Sequence, residues 1–141
     1  MIILDTDLLT LVQRATGTEY ARLVTRLDQA DEPVCTTIVS FEEQMRGWLA
    51  LMAGARTVEQ QIQVYVRLRL LLEDFQTRPV IDFDERAATE YQRFRRGKIR
   101  IGTMDLRIAA IAAAHEALLL SRNLADFRKV PGLRVEDWTS P

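Results

Sequence analysis

MIILDTDLL, residues 1–9, decides how the rest of the chain is read. Ile2, Ile3 and Leu4 form a short uninterrupted apolar run, the pattern of a strand buried on both faces. Asp5 and Asp7 follow at once. A carboxylate at the end of a buried strand must be solvated, paired or bound to a cation. Strands buried on both faces belong to parallel sheets, and open α/β sheets bind their ligands beyond the carboxyl ends of the strands. Function is therefore to be sought in the residues that follow each strand.

Working outward, residues 8–15 have helical apolar spacing that ends near Gly17, and a second helix is predicted over 19–30. Pro33 opens VCTTIV, 34–39, a β-branched run predicted as a strand. Apolar residues at 41, 45, 48, 49 and 52 predict a helix that Gly54 stops. Residues 57–75 repeat the helical pattern. PVIDF, 79–83, is predicted as a strand, and Asp84 as the N-cap of a helix over 85–96. RRGKIRIG, 95–102, is a loop, and Thr103 is expected to cap a helix running to about Glu116. ALLLS, 117–121, is a strand. After the VPG turn, LRVEDW is the last one. Strands alternating with helices predict an α/β fold, a three-layer α/β/α arrangement with a mostly parallel central sheet. The length suits one domain over residues 1–141.

Composition narrows the function classes. With 48% hydrophobic residues the chain is expected to be globular. Its 19 basic and 20 acidic residues give a net charge of -1. That excludes a broad basic surface as the means of binding nucleic acid and leaves room only for local patches. The single cysteine, Cys35, cannot form an internal disulfide, which fits a reducing compartment. No basic leader precedes the apolar start, and IAAIAAA, 108–114, is too short to span a bilayer. The expectation is a soluble cytoplasmic protein.

Acids recur after the predicted strands. Asp5, Thr6 and Asp7 follow the first; Ser40, Glu42 and Glu43 follow the second. Asp84 follows PVIDF. Arg122, Asn123 and Asp126 follow the strand at 117–121, and Asp105 sits in the first turn of the helix at 103. Carboxylates from four separate segments can gather at one edge of the sheet. Such a cluster is tolerated when a divalent cation neutralises it or when some of the acids stay protonated. Oxygen ligands favour Mg²⁺ or Mn²⁺, and no Cys/His cluster offers a zinc site. A carboxylate-held Mg²⁺ suits phosphoester chemistry: it acidifies water and stabilises the leaving oxygen.

Each acid also has a plainer reading. Asp5 could be a turn acid, and Asp7 the N-cap of the helix at 8. Asp105 could simply complement the helix macrodipole, worth about 0.3–1 kcal/mol. Asp126 could cap a short helical turn. Asp82 reads as an outward strand residue and His115 as a helix-end residue. On a helical wheel Glu43 lies nearly opposite the apolar stripe, as a solvated acid would, and Glu42 flanks that stripe.

Four stretches carry a family resemblance: MIILDTDLL, SFEEQMRG at 40–47, IGTMDLRIAAIA at 101–112 and LLSRNLADFRKVPGLRVEDW at 119–138. Together, in this order, they resemble the PIN-domain ribonucleases, specifically VapC-type toxins of toxin-antitoxin pairs. The resemblance implies a metal-dependent endoribonuclease with Asp5, Glu43, Asp105 and Asp126 as catalytic, metal-holding acids. Glu43 followed by Gly47 matches the family spacing; Glu42 is its rival. Many members have Asp where this chain has Asn123, and others have Asn there with an acid three residues on, as Asp126 is here. Thr6, Ser40, Thr103 and Asn123 are expected in support. The basic run RFRRGKIR, with Arg93, Arg96, Lys98 and Arg100, is a candidate contact for RNA or for antitoxin carboxylates. The resemblance further implies Mg²⁺ or Mn²⁺ as cofactor, a VapB-like antitoxin partner and a homodimer, with the apolar helices at 41–53 and 58–75 as interfaces. Two other readings are an RNA-processing PIN nuclease without an antitoxin, and a non-catalytic PIN module that binds RNA or protein.

Overall fold

A computed structural model describes residues 1–141. The chain runs β1 (Ile2–Leu4), α1 (Thr6–Arg14), α2 (Thr18–Ala30), β2 (Val34–Thr37), α3 (Ile38–Gly54), α4 (Val58–Thr77) and β3 (Val80–Ile81). It continues through α5 (Glu85–Arg96), α6 (Thr103–Ala114), β4 (Leu118–Leu120), α7 (Leu124–Phe127) and β5 (Arg134–Glu136). All neighbouring strands are parallel, in the order β3-β2-β1-β4-β5. The α/β class and the covered parallel sheet are as the sequence predicted. The chain leaves β1 for β2 and β3 on one side, then crosses to β4 and β5 on the other. The strand order therefore switches at β1 and β4, where their carboxyl ends open a crevice.

The alternation of side chains along β1 builds both helix layers. Ile3 enters a cluster with Val39, Phe94, Ile108, Ile111, Leu119 and Phe127, under α3, α5 and α6. Ile2 and Leu4 point the other way, joining Leu8, Leu23, Leu118 and Leu120 under α1 and α2. α6 is apolar almost all round: Ile108, Ala109, Ala110, Ile111 and Ala112 are all fully buried. Its small side chains let it lie close against the sheet. α4 packs outside this framework against α3, with Phe75 set edge-on against Phe41 at 5.0 Å between centroids. No helix is long and apolar enough to cross a membrane.

Several boundaries differ from the sequence expectation for identifiable reasons. α1 begins at Thr6, because Asp5 rather than Asp7 is its N-cap and accepts from the Leu8 N–H at 2.9 Å. Only the first four residues of VCTTIV are strand. The Thr37 hydroxyl accepts from the Ser40 N–H at 3.1 Å, so Thr37 caps α3 and turns Ile38 and Val39 helical despite their β-branched side chains. PVIDF contributes two strand residues rather than five, at the sheet edge. Thr103 is not a cap: Gly102 occupies the N-cap of α6 with no side-chain bond, and Thr103 is the first helical residue. A short helical turn does form, α7, but Asn123 caps it and Asp126 lies within it. Asp84 caps α5 as expected, through the Ala87 N–H at 3.0 Å.

Two substitutions probe this framework by urea unfolding. Leu119 is fully buried, and Leu119→Ala is expected to cost about 2–5 kcal/mol, through lost transfer energy and an unfilled cavity. Thr57 forms a capping box with Gln60 at the start of α4; Thr57→Ala is expected to cost about 1 kcal/mol.

Candidate active site

The carboxyl ends of β1 and β4, the second turn of α3 and the first turn of α6 meet at the crevice. Asp5, Thr6, Asp7, Glu43, Asp105, Arg122 and Asn123 line a cleft of about 540 Å³ with no hydrophobic residue in its wall. Asp5 is the deepest of them, only 5% exposed. Its position follows from its neighbours: Leu4 completes a buried strand, and the cap bond to Leu8 holds the carboxylate at the strand end. Burial pushes its pKa from 3.8 up to about 6; bonds from Ser121 and the Leu8 N–H oppose the rise, and the charges of Asp7 and Asp105 add to it.

Glu43, not Glu42, shares this cleft. The Thr6 hydroxyl donates to Glu43 Oε1 at 2.6 Å and shares a 2.9 Å hydrogen bond with the Ser40 hydroxyl. Ser40 is fully buried behind them. Glu42 is turned away, ion-paired to Arg46 at 2.7 Å and near Arg107 at 4.0 Å. Asp105 is half-buried at the start of α6. Burial, then the charges of Glu43 and Asp126, hold its pKa above the ordinary carboxylate value. Asp105 and Glu43 are thus close enough to repel.

The fourth position divides. Asn123 is in the cleft wall, while Asp126 stands behind it, bonded by Asn123 Nδ2 at 3.0 Å and Lys129 Nζ at 3.2 Å. The bond from Asn123 and then that from Lys129 depress the Asp126 pKa. The structure therefore brings Asp5, Glu43, Asp105 and Asn123 together and keeps Asp126 just outside. Thr6 lines the cleft, and Ser40 is buried beside it outside the wall. Thr103 is exposed and outside the cleft wall. Arg93 is engaged by Glu90 at 2.6 Å, and Arg96, Lys98 and Arg100 are exposed but line no part of the cleft.

Two wall residues were not assigned to the site from sequence. Asp7, read as the cap of α1 in preference to a supporting place at the site, carries no cap bond and faces Arg122. Arg122 donates from Nε and Nη2 to both Asp7 oxygens, at 2.7 and 2.6 Å, and from Nη1 to Glu19. The one signal available was the position of Arg122 directly after a predicted strand.

No three acids close into a ready-made coordination shell. The donor set nevertheless fits a hard divalent cation. It is all oxygen, its acids are drawn from three chain segments, and two of them are raised in pKa by burial and by neighbouring carboxylates. A cation among Asp5, Glu43 and Asp105, with Asn123 as a neutral fourth group, would relieve that repulsion.

A PIN-domain family model matches residues 2–133. The tRNA(fMet)-specific endonuclease VapC of Salmonella typhimurium is 35% identical over 63 residues, 42% of this chain and 48% of that protein. The chain thus spans about half the length of the curated relatives it matches. Among solved structures, VapBC-1 from nontypeable Haemophilus influenzae superposes with a TM-score of 0.74 at 22% identity, over 99% of this chain and 100% of that one, a likeness of fold. VapBC-5 from Mycobacterium tuberculosis, of the VapBC family of toxin-antitoxin systems, gives 0.53 at 28% identity over 74% and 79%.

The raised pKa of Asp5 makes a prediction of definite sign. A carboxyl that binds its proton more tightly folded than unfolded contributes stability below its unfolded pKa of 3.8 and loses it as pH rises through about 6. The full loss corresponds to about 3 kcal/mol. In EDTA, Asp5→Asn keeps the cap and is expected to exceed wild type by about 1–3 kcal/mol at pH 7.5, converging with it near pH 4. Urea unfolding at the two pH values checks this; equal stabilities at pH 7.5 would contradict it.

Proposed function

The chain belongs to the PIN-domain family, and from that premise we propose that it is a Mg²⁺- or Mn²⁺-dependent endoribonuclease, the toxin of a VapBC-type toxin-antitoxin pair. The observation that carries this reading is the convergence of Asp5, Glu43 and Asp105, from three distant segments, on one cleft with no hydrophobic lining. A divalent cation bound there would supply Lewis acidity for the phosphodiester and lower the pKa of water at the cleft. The remaining work belongs to the side chains. Asp5 is immobilised by its cap bond, so its carboxylate does not have to be ordered when substrate arrives. Thr6 orients Glu43, and buried Ser40 fixes Thr6. Asn123 presents an amide at the wall, and Lys129 neutralises Asp126 beside it. With the cleft charge compensated, an RNA phosphate can enter and hydrolysis proceeds by attack of water. The enzyme works as a single domain in the cytoplasm.

The proposed antitoxin has a place to bind. Leu51 on α3 is 57% exposed, and Val58, Ile62 and Tyr65 on α4 are 64%, 52% and 64% exposed. Apolar side chains repeated along one helix suit an amphipathic partner or a second copy of the chain. Relatives of this fold come from toxin-antitoxin systems, which favours the antitoxin as the first partner and leaves a homodimer as the second.

The decisive experiment incubates antitoxin-free protein with end-labelled total RNA in Mn²⁺, Mg²⁺ or EDTA. Discrete cleavage is expected only with metal. Loss of outer-shell partners of metal sites costs about 10–100-fold, so Asp5→Ala, Glu43→Ala and Asp105→Ala are each expected to cost at least about 100-fold. Glu42→Ala, whose carboxylate serves Arg46, should stay near wild type. A product of a small neighbouring reading frame that copurifies and silences cleavage would identify the toxin role; cleavage without such a partner would favour an RNA-processing nuclease. No cleavage by folded, metal-loaded protein would favour the binding module.

A further inference from the structure

Arg122 is the only cationic side chain in the cleft wall. Four carboxylates share that wall, from Asp5, Asp7, Glu43 and Asp105. Its guanidinium is bidentate to Asp7 and also bonded to Glu19 at the start of α2. As a support for the fold this is a poor investment of an arginine. Arg122 and Asp7 are 36% and 52% exposed, and exposed ion pairs contribute little to stability. As a way of presenting a cation it is effective. Two carboxylates fix the plane of the guanidinium at the cleft rim. A guanidinium has five N–H donors, of which these contacts use three, so one N–H on each Nη remains. A planar pair of donors matches two phosphate oxygens.

RNA needs such a group here. A strand entering the cleft brings phosphates against an acidic wall, and a cation at the acids compensates only the phosphate nearest to it. The basic run at 93–100, the obvious alternative, does not reach the wall. We propose that Arg122 seats the RNA phosphate adjacent to the cleaved bond, with Asp7 and Glu19 holding its guanidinium in register. This rests on the ribonuclease reading and adds to it a substrate-positioning residue.

The test uses fluorescently labelled bulk transfer RNA, bound in Ca²⁺ and cleaved in Mn²⁺, across a series of NaCl concentrations. Arg122→Ala is expected to weaken binding about tenfold at low salt. It should also make the slope of log K against log salt shallower by roughly 0.7–0.9, the contribution of one phosphate contact. KM should rise more than kcat falls, and Arg122→Lys should recover part of the loss. Glu19→Gln keeps an acceptor for Nη1 and removes a repelling charge, so it should tighten RNA binding about two- to threefold. A purely structural clamp predicts the reverse: both variants lower the urea midpoint, and the salt slope stays at the wild-type value. Wild type that cleaves while Arg122→Ala keeps its KM and slope would overturn the proposal and leave the nuclease reading intact. Wild type that binds through Arg122 but never cleaves would overturn the nuclease reading, and with it the place of Arg122 beside a cleaved bond. Wild type that neither binds nor cleaves would end both.

Discussion

The structure turns on a carboxylate that sits where a carboxylate is expensive. Asp5 ends the central strand, almost wholly buried, and its proton affinity is raised accordingly. Bonds from Ser121 and from the Leu8 N–H make the position tenable, and the second is the cap bond. It satisfies one lone pair, caps α1 and fixes the direction in which the chain leaves the sheet. Thr6 is then delivered to Glu43, and Asp7 to Arg122. One local hydrogen bond thus sets the geometry of three cleft residues. A solvated acid at this position would be better hydrated, but it would hold none of them.

The same device recurs around the cleft. Thr37 caps α3 directly at the end of β2, and Asn123 caps α7 two residues after Ser121. Asp105 stands in the first turn of α6. In each case a strand or loop passes into a helix with little intervening chain, and helix N-termini are collected at the acidic edge of the sheet. Their positive dipole ends favour negative charge nearby. The backbone therefore offsets part of the repulsion among the acids, and the short connections leave the side chains little freedom to separate.

Much of this was legible in the residues because it is written in local patterns. IIL followed by acids, and LLL followed by Ser121, announce buried parallel strands and the side on which they bind. Asp84 announces a cap. Periodicity set Glu43 opposite the apolar stripe, as a solvated acid, and Glu42 beside it, which does not say which one enters the cleft; the contact from Thr6 and the pairing of Glu42 with Arg46 decide it. The clamp of Arg122 on Asp7 and Glu19 joins remote segments and leaves no periodic trace. VCTTIV misled because β-propensity is weak against a hydroxyl cap and the burial of Val39. α7 is a single turn, too short to show a period. Asn123 was named and Asp126 preferred, because spacing along a chain does not reveal which of two polar side chains faces inward.

The strand order has a consequence for the life of the polypeptide. β1 lies between β2 and β4, and its partner residues Leu118–Leu120 are synthesised long after it. Asp105 and Asn123 likewise follow Asp5 and Glu43 at a distance along the chain. β1 waits for β4 before the sheet, and with it the cleft, can close. A growing chain that has not reached β4 carries Asp5 and Glu43 but no assembled site. The parallel topology thus makes closing the sheet and completing the cleft a single event.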